Sequence, residues 1–170
     1  MGKKYYEIEL PSTCPVDAIT RWQKAIAEMV AGYDEDPELD VIFDLPHDEI
    51  VISRGVGFNS LCEHHLFQFF GTVDVAYLPE EGIVGLSKLA RTVDVYSKRF
   101  QTQERMTAEI ATAIEEKLKP KGVAVIVRGV HTCQKCRGIK KDGEMITSVM
   151  RGVFREKEAA RAELLNLLRL

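Results

Sequence analysis

Apolar residues recur at helical spacing at Ile19, Trp22, Ile26, Met29 and Val30, behind Asp17 and ahead of Gly32 and the polar turn Asp34-Glu35-Asp36-Pro37. That stripe and its stop predict an amphipathic first helix. The period then changes. Glu49 to Phe58 alternates imperfectly and is rich in Val and Ile, and Leu66 to Leu78 is aromatic and β-branched until Pro79 and Gly82 break it, so both are predicted strands. Leu89, Ala90, Val93, Val95 and Tyr96 suit a helix within Ser87 to Phe100, and Ile110, Ala113, Ile114 and Leu118 suit a second within Met106 to Leu118. Gly122 to Val130 is a Val/Ile strand, Gly143 opens another that runs to Phe154, and Glu156 to Leu170 is helical in composition. The order α, β, β, α, α, β, β, α implies an α+β fold, with helices on one face of a mostly antiparallel sheet.

At 170 residues the chain is long enough to bury a core without disulfide staples, and 1–170 reads as one domain: a short N-terminal helical segment over 1–40 and a core over 41–170. A hydrophobic content of 45% with 29% charged residues is ordinary for a soluble protein, and no apolar run is long enough to span a bilayer. Met1 to Glu7 carries two lysines but no apolar core of a signal peptide, which predicts a cytoplasmic protein. The net charge of −3 argues against non-specific nucleic-acid binding, yet leaves room for an anionic small molecule at a local basic cluster.

Composition says little about chemistry; two clusters say more. Cys62-Glu63-His64-His65 and His131-Thr132-Cys133-Gln134-Lys135-Cys136 hold more good zinc ligands than one ion needs. Cys62 and His65 at a turn, with Cys133 from the second cluster, make a three-ligand site that leaves a position open for chemistry. His131 and Cys133 alternate on the end of a strand and share a face, so His131 stands beside the metal as a proton-transfer group, with His64 as a second candidate. The competing reading closes the site with Cys136 as a fourth ligand, a Cys3His zinc that only staples two loops. The two surplus histidines favour catalysis. Cys14 stands apart from both clusters.

Ser87 is a good N-cap, and Lys88 and Arg91 then fall in the first turn of a helix, where cations oppose the helix dipole unless an anion sits between them. Phosphate is a natural occupant, with Arg137 as a third cation; a solvated basic edge is the commoner use of such a pair. Gln103-Glu104 opens the next helix, where an acid is expected from the dipole alone. A carboxylate also accepts the paired donors on the edge of guanine well.

In order and register, the CEHH run, the strand ending in AYLPE, GLSKLAR, Gln103-Glu104-Arg105, the H-x-C cluster followed by Arg137-Gly138, and TSVMRGVFRE resemble the GTP cyclohydrolase I family from about Gly32 to Leu170. The resemblance implies the tunnelling fold, in which ββααββ subunits pair their sheets into barrels, a homodecamer of two pentamers and active sites between subunits. It implies zinc-dependent opening of the GTP imidazole ring, release of formate and closure to 7,8-dihydroneopterin triphosphate, the first step of pterin, folate or deazaguanine synthesis. By the same resemblance Cys62, His65 and Cys133 are zinc ligands, His64 and His131 transfer protons, and Ser87 assists the ribose chemistry. Lys88, Arg91 and Arg137 hold the triphosphate, with Arg21 as a weaker match, and Gln103 and Glu104 hold guanine. Cys136 departs from the family, where an apolar Met is common.

Overall fold

The apolar stripe near the start forms α1 (Ala18–Met29), but none of its residues is buried, and Ile19 and Trp22 are 50% and 56% exposed. Ile26 and Met29 are half-buried, so among the described residues the apolar stripe is only partly covered. The computed structural model describes residues 13–40 and 42–169; the Met1 to Glu7 stretch read for a signal peptide and Val41 at the start of the core lie outside the described residues.

After a single helical turn (Ala31–Tyr33) come β1 (Ile42–Phe43), β2 (Val51–Cys62), β3 (Gln68–Leu78), β4 (Ile83–Val84), α2 (Leu86–Ser97), β5 (Phe100–Gln101), α3 (Gln103–Leu118), β6 (Gly122–His131), α4 (Thr132–Lys135), β7 (Met145–Gly152), α5 (Val153–Glu156) and α6 (Glu158–Leu167). The long elements keep the ββααββ order expected from the sequence. The large sheet runs β5-β2-β3-β6-β7, antiparallel except where the two residues of β5 lie parallel to β2. β1 and β4 form a separate two-stranded ribbon, too short to show in the sequence pattern.

Alternation divides the sheet between two cores. Val73, Val75 and Tyr77 of β3 and Val123, Val125 and Val127 of β6 point at α2 and α3, where Leu89, Val93, Met106, Ile110 and Ile114 are buried against them. The intervening Ala76, Ala124 and Ile126 face the other way and pack with Phe154 of α5 and Leu164 of α6. The helices on the main face are therefore α2 and α3, while the C-terminal helices cover part of the opposite face. α3 starts at Thr102, whose hydroxyl accepts the Arg105 N–H at 3.2 Å, a cap of about 1 kcal/mol.

One irregularity aims the site. Ser53 pairs with Val75 but Val56 pairs with Val73, so β2 carries one extra residue and its alternation flips. Gly55 takes the bulge with φ +69°, a value few side chains tolerate, and donates its N–H to Asp74 Oδ1 at 2.8 Å. Asp74 is 4% exposed and is also paired with Arg128. Beyond the bulge, Phe58 and Cys62 point into the helix-covered face together with Phe69 and His131. Among the described residues, no helix is long and apolar enough to cross a membrane.

Candidate metal centre and active site

β2 ends in a tight turn. Cys62 N–H donates to Phe67 O at 2.8 Å, Leu66 N–H returns to Cys62 O at 2.8 Å, and Leu66 adopts φ 57° to close the loop. Glu63 N–H reaches Gln101 O at 3.0 Å, which ties the turn to β5. Cys62 is buried, whereas His64 and His65 are exposed. On the neighbouring strand pair, Phe69 of β3 stands in register with His131 of β6, and their rings stack at 4.5 Å and 5°. The Thr132 hydroxyl then donates to Gln68 O at 2.6 Å and sets the start of α4, which carries Cys133 to the turn.

The ligand atoms of Cys62, His65 and Cys133 lie within 4.8 Å of one another, and Cys62 Sγ is 3.6 Å from His65 Nδ1. Tetrahedral zinc, with sulfur near 2.3 Å and nitrogen near 2.0 Å, places two such ligands about 3.5 Å apart, so these donors fit the ion. Cys136 is not part of this group: it is exposed and its thiol donates to Thr132 O at 2.7 Å. Burial, and then the neighbouring Cys62, push the Cys133 thiol up, as expected for thiols gathered without a cation.

A cleft of about 200 Å³ opens beside the three ligands and is lined also by His64, His131, Gln103, Glu104 and Met145. Burial holds the His131 imidazole below its usual pKa, against the opposing pull of Glu104. Gln103 is 0% exposed. Its Oε1 meets His131 Nε2 at 2.9 Å, and its amide nitrogen donates to Met145 O at 2.9 Å and to Val127 O and Thr147 Oγ1 at 3.2 Å. The sequence signals a helix start at Gln103 but not this bond. The signal lies at Gly129, where a Cβ would stand 2.3 Å from Gln103 Oε1.

The basic residues are arranged differently. α2 starts from Gly85, not from Ser87, because the chain turns directly out of β4; Ser87 is the second helical residue, exposed and without a capping bond. Lys88 and Arg91 do share an anion, but it is the chain's own Glu38: Lys88 Nζ lies 2.7 Å from Glu38 Oε2, and Arg91 pairs with the same oxygen. Glu38 sits at φ 52° beside the fully buried Leu39, and the Lys88 bond, with Arg91, holds its carboxyl below the ordinary carboxylate value. Arg21 pairs with Asp17 along exposed α1, and Arg137 is exposed after α4. Ser87, Lys88, Arg91, Arg137 and Arg21 do not line the cleft.

Sequence reasoning also missed Arg105. It donates to Glu63 Oε2 at 2.6 Å, Phe100 O at 2.6 Å and Gln101 Oε1 at 2.9 Å, and so fastens the metal-side turn to α3. Neither residue type nor spacing marks a brace between such distant positions.

A family model described as GTP cyclohydrolase I matches residues 12–169. A GTP cyclohydrolase 1 of Streptococcus thermophilus is 46% identical over 158 residues, covering 91% of this chain and 84% of the relative. The Geobacillus kaustophilus protein of that name is 47% identical with the same coverage, and the human one is 47% identical over 88% of this chain and 62% of its own length. A solved apo structure of an archaeosine synthase QueF-like protein aligns at a TM-score of 0.45 and 17% identity over 61% of this chain and 95% of its own. With the family match spanning nearly the whole sequence and the Cys/His group in place, this chain belongs to the GTP cyclohydrolase I family.

Proposed function

We propose that the chain converts GTP and water to 7,8-dihydroneopterin triphosphate and formate, as a zinc-dependent GTP cyclohydrolase I. The observation that carries the site reading is the meeting, in one cleft, of the Cys62, His65 and Cys133 donors with His131, His64 and Glu104. Zinc held by those three residues supplies Lewis acidity and water of lowered pKa. Glu104 accepts the paired N–H donors of guanine and so presents C8 to the ligand group. His131 moves the proton at the imidazole ring, and burial that favours its neutral form suits it to accept one first. His64, exposed on the turn, serves the later ring-opening and ribose steps together with Ser87. Gln103 shares in holding guanine through its main chain, since its side-chain amide is engaged within the protein.

Lys88, Arg91, Arg137 and Arg21 receive the triphosphate. A cleft of about 200 Å³ is small beside the roughly 300–1,000 Å³ of ordinary ligand sites. The cations lie outside it, and α1 presents Ile19 and Trp22 uncovered. These features support active sites completed between subunits, and the resemblance to the family implies that the subunits form a homodecamer, here proposed to be cytoplasmic.

The second reading is a binding or scaffold protein with a closed Cys62, His65, Cys133, Cys136 zinc. The bond from Cys136 to Thr132 O favours the open site instead. Purified zinc-loaded protein incubated with GTP tests the proposal: formate release together with the near-ultraviolet absorbance of a dihydropterin is expected. Tightly bound zinc with neither product would overturn it in favour of the closed site.

A further inference from the structure

The bonds around Gln103 specify which nitrogen of His131 carries a proton. Val127 O and Met145 O are main-chain carbonyls and can only accept, so the side-chain group of Gln103 facing them is the NH2. The third partner agrees. Thr107 donates its hydroxyl to Gln103 O at 2.6 Å, which leaves Thr147 to donate to Thr107 at 2.7 Å and to accept from Gln103. Reversing the amide would set its oxygen against two carbonyls in a fully buried position, at the cost of unsatisfied buried polar groups. Oε1 therefore faces His131 Nε2, 2.9 Å away, and an amide oxygen has no hydrogen to give. In the neutral ring Nε2 must be the N–H, and Nδ1 holds the free lone pair.

The ring has no freedom to escape this arrangement. Phe69 stacks against it at 4.5 Å and 5°, which fixes its plane, and the Gln103 bond fixes its rotation within that plane. Gly129 independently reflects the same requirement: a Cβ there would lie 2.3 Å from Gln103 Oε1 and 3.3 Å from its Cδ, so any side chain would push the amide off the ring.

We infer that Gln103 is a positioning residue, which holds His131 as the Nε2–H tautomer through a buried amide and leaves Nδ1 as the nitrogen that exchanges protons during the reaction. Only the last part rests on the reading of His131 as the acid/base group. The recognition is mechanical: an acceptor-only oxygen, locked by two carbonyls, selects one of two tautomers.

The test is long-range ¹H–¹⁵N correlation of the histidine rings in the zinc-loaded protein without substrate, at a pH where His131 is neutral, combined with steady-state kinetics on GTP. The wild-type spectrum should show His131 with a protonated Nε2 and a bare Nδ1. Gln103→Met, of similar length but without polar atoms, should retain zinc, bring in the Nδ1–H tautomer and lower kcat by about 10- to 100-fold, with KM nearly unchanged. Gly129→Ala, which displaces Oε1 without altering Gln103, should shift the spectrum and kcat the same way, so the inference does not hang on one variant's folding. A wild-type His131 protonated on Nδ1 would overturn it, and so would a Gln103→Met protein with the wild-type tautomer. A rise in KM at constant kcat would overturn it too, by assigning the side chain to guanine. Because the spectrum needs no substrate, the tautomer stands or falls separately from the reaction.

Discussion

The metal side and the anion side of this molecule are built on opposite principles. Cys62 and His131 stand at the ends of β2 and β6, His65 on the turn after β2, Cys133 on α4 and Gln103 at the α3 start, and strand register with the turn bonds brings them together. Several are braced: Cys62 by its turn and His131 by Phe69 and Gln103, while Arg105 holds Glu63 beside the ligands. The anion side is dispersed over α1, α2 and the loop after α4, and its cations are exposed or tied to carboxylates of the same chain, Lys88 and Arg91 to Glu38 and Arg21 to Asp17. A site held to fractions of an ångström suits bond making, whereas phosphate binding tolerates mobile charges that exchange one anion for another. The difference teaches that the donor group and its histidine are already brought together within one chain, whereas the proposed phosphate half is not.

Breaking the metal side should cost the most. Cys133→Ala should lose zinc, measured by metal content after dialysis, and bring turnover to background. His131→Ala should keep zinc and lose roughly 10²- to 10⁴-fold in kcat, the span of a general acid/base group; normal turnover would remove His131 from the chemistry. Breaking the anion side should act through binding. Lys88→Ala or Arg91→Ala should raise KM for GTP by about 10- to 100-fold, as for loss of one charged hydrogen bond to phosphate, with kcat changed far less and the effect shrinking as salt screens the wild-type contact.

The smallest expected effect sharpens the comparison most. Glu38→Gln frees Lys88 and Arg91, so KM for GTP should fall, by up to about fivefold on the scale of an exposed ion pair. The cations hold the Glu38 carboxyl below its ordinary value in the folded chain. Its pairing is thus complete above the ordinary carboxylate range and is lost only as pH falls through the lowered value. The KM advantage of Glu38→Gln should accordingly persist at neutral and alkaline pH; an advantage confined to acid would contradict the competition.

The sequence made the metal side partly legible for physical reasons. Helical stripes and β-branched runs located α1, α2, α3, β2, β3 and β6, and Cys62-x-x-His65 with His131-x-Cys133 located the metal group, because short spacing is a local property. What it hid depends on pairing across strands. The bulge between Ser53 and Val56, which decides that Cys62 points inward, leaves only a glycine at Gly55 as its trace. The stack of Phe69 on His131 and the Gln103 bond need the β3–β6 register. The fault expected of two cations near a helix N-terminus was visible, but not that Glu38 answers it, since the two segments lie fifty residues apart. Ser87 is a good capping residue in isolation, yet the chain leaves β4 directly into the helix at Gly85.

Subunit complementation tests most directly the claim that two chains share one site. Inactive His131→Ala protein and a Lys88→Ala, Arg91→Ala double variant would be co-refolded, with exchange of subunits verified by native mass spectrometry. Assayed at GTP near the wild-type KM, where the double variant turns over little, the mixture should recover roughly a quarter of wild-type activity if the chemical half comes from one copy and the phosphate half from another, the share of interfaces that pair two intact halves at equal mixing. Mixed oligomers no more active at that GTP concentration than the average of their parents would contradict the account and place both halves in the same chain.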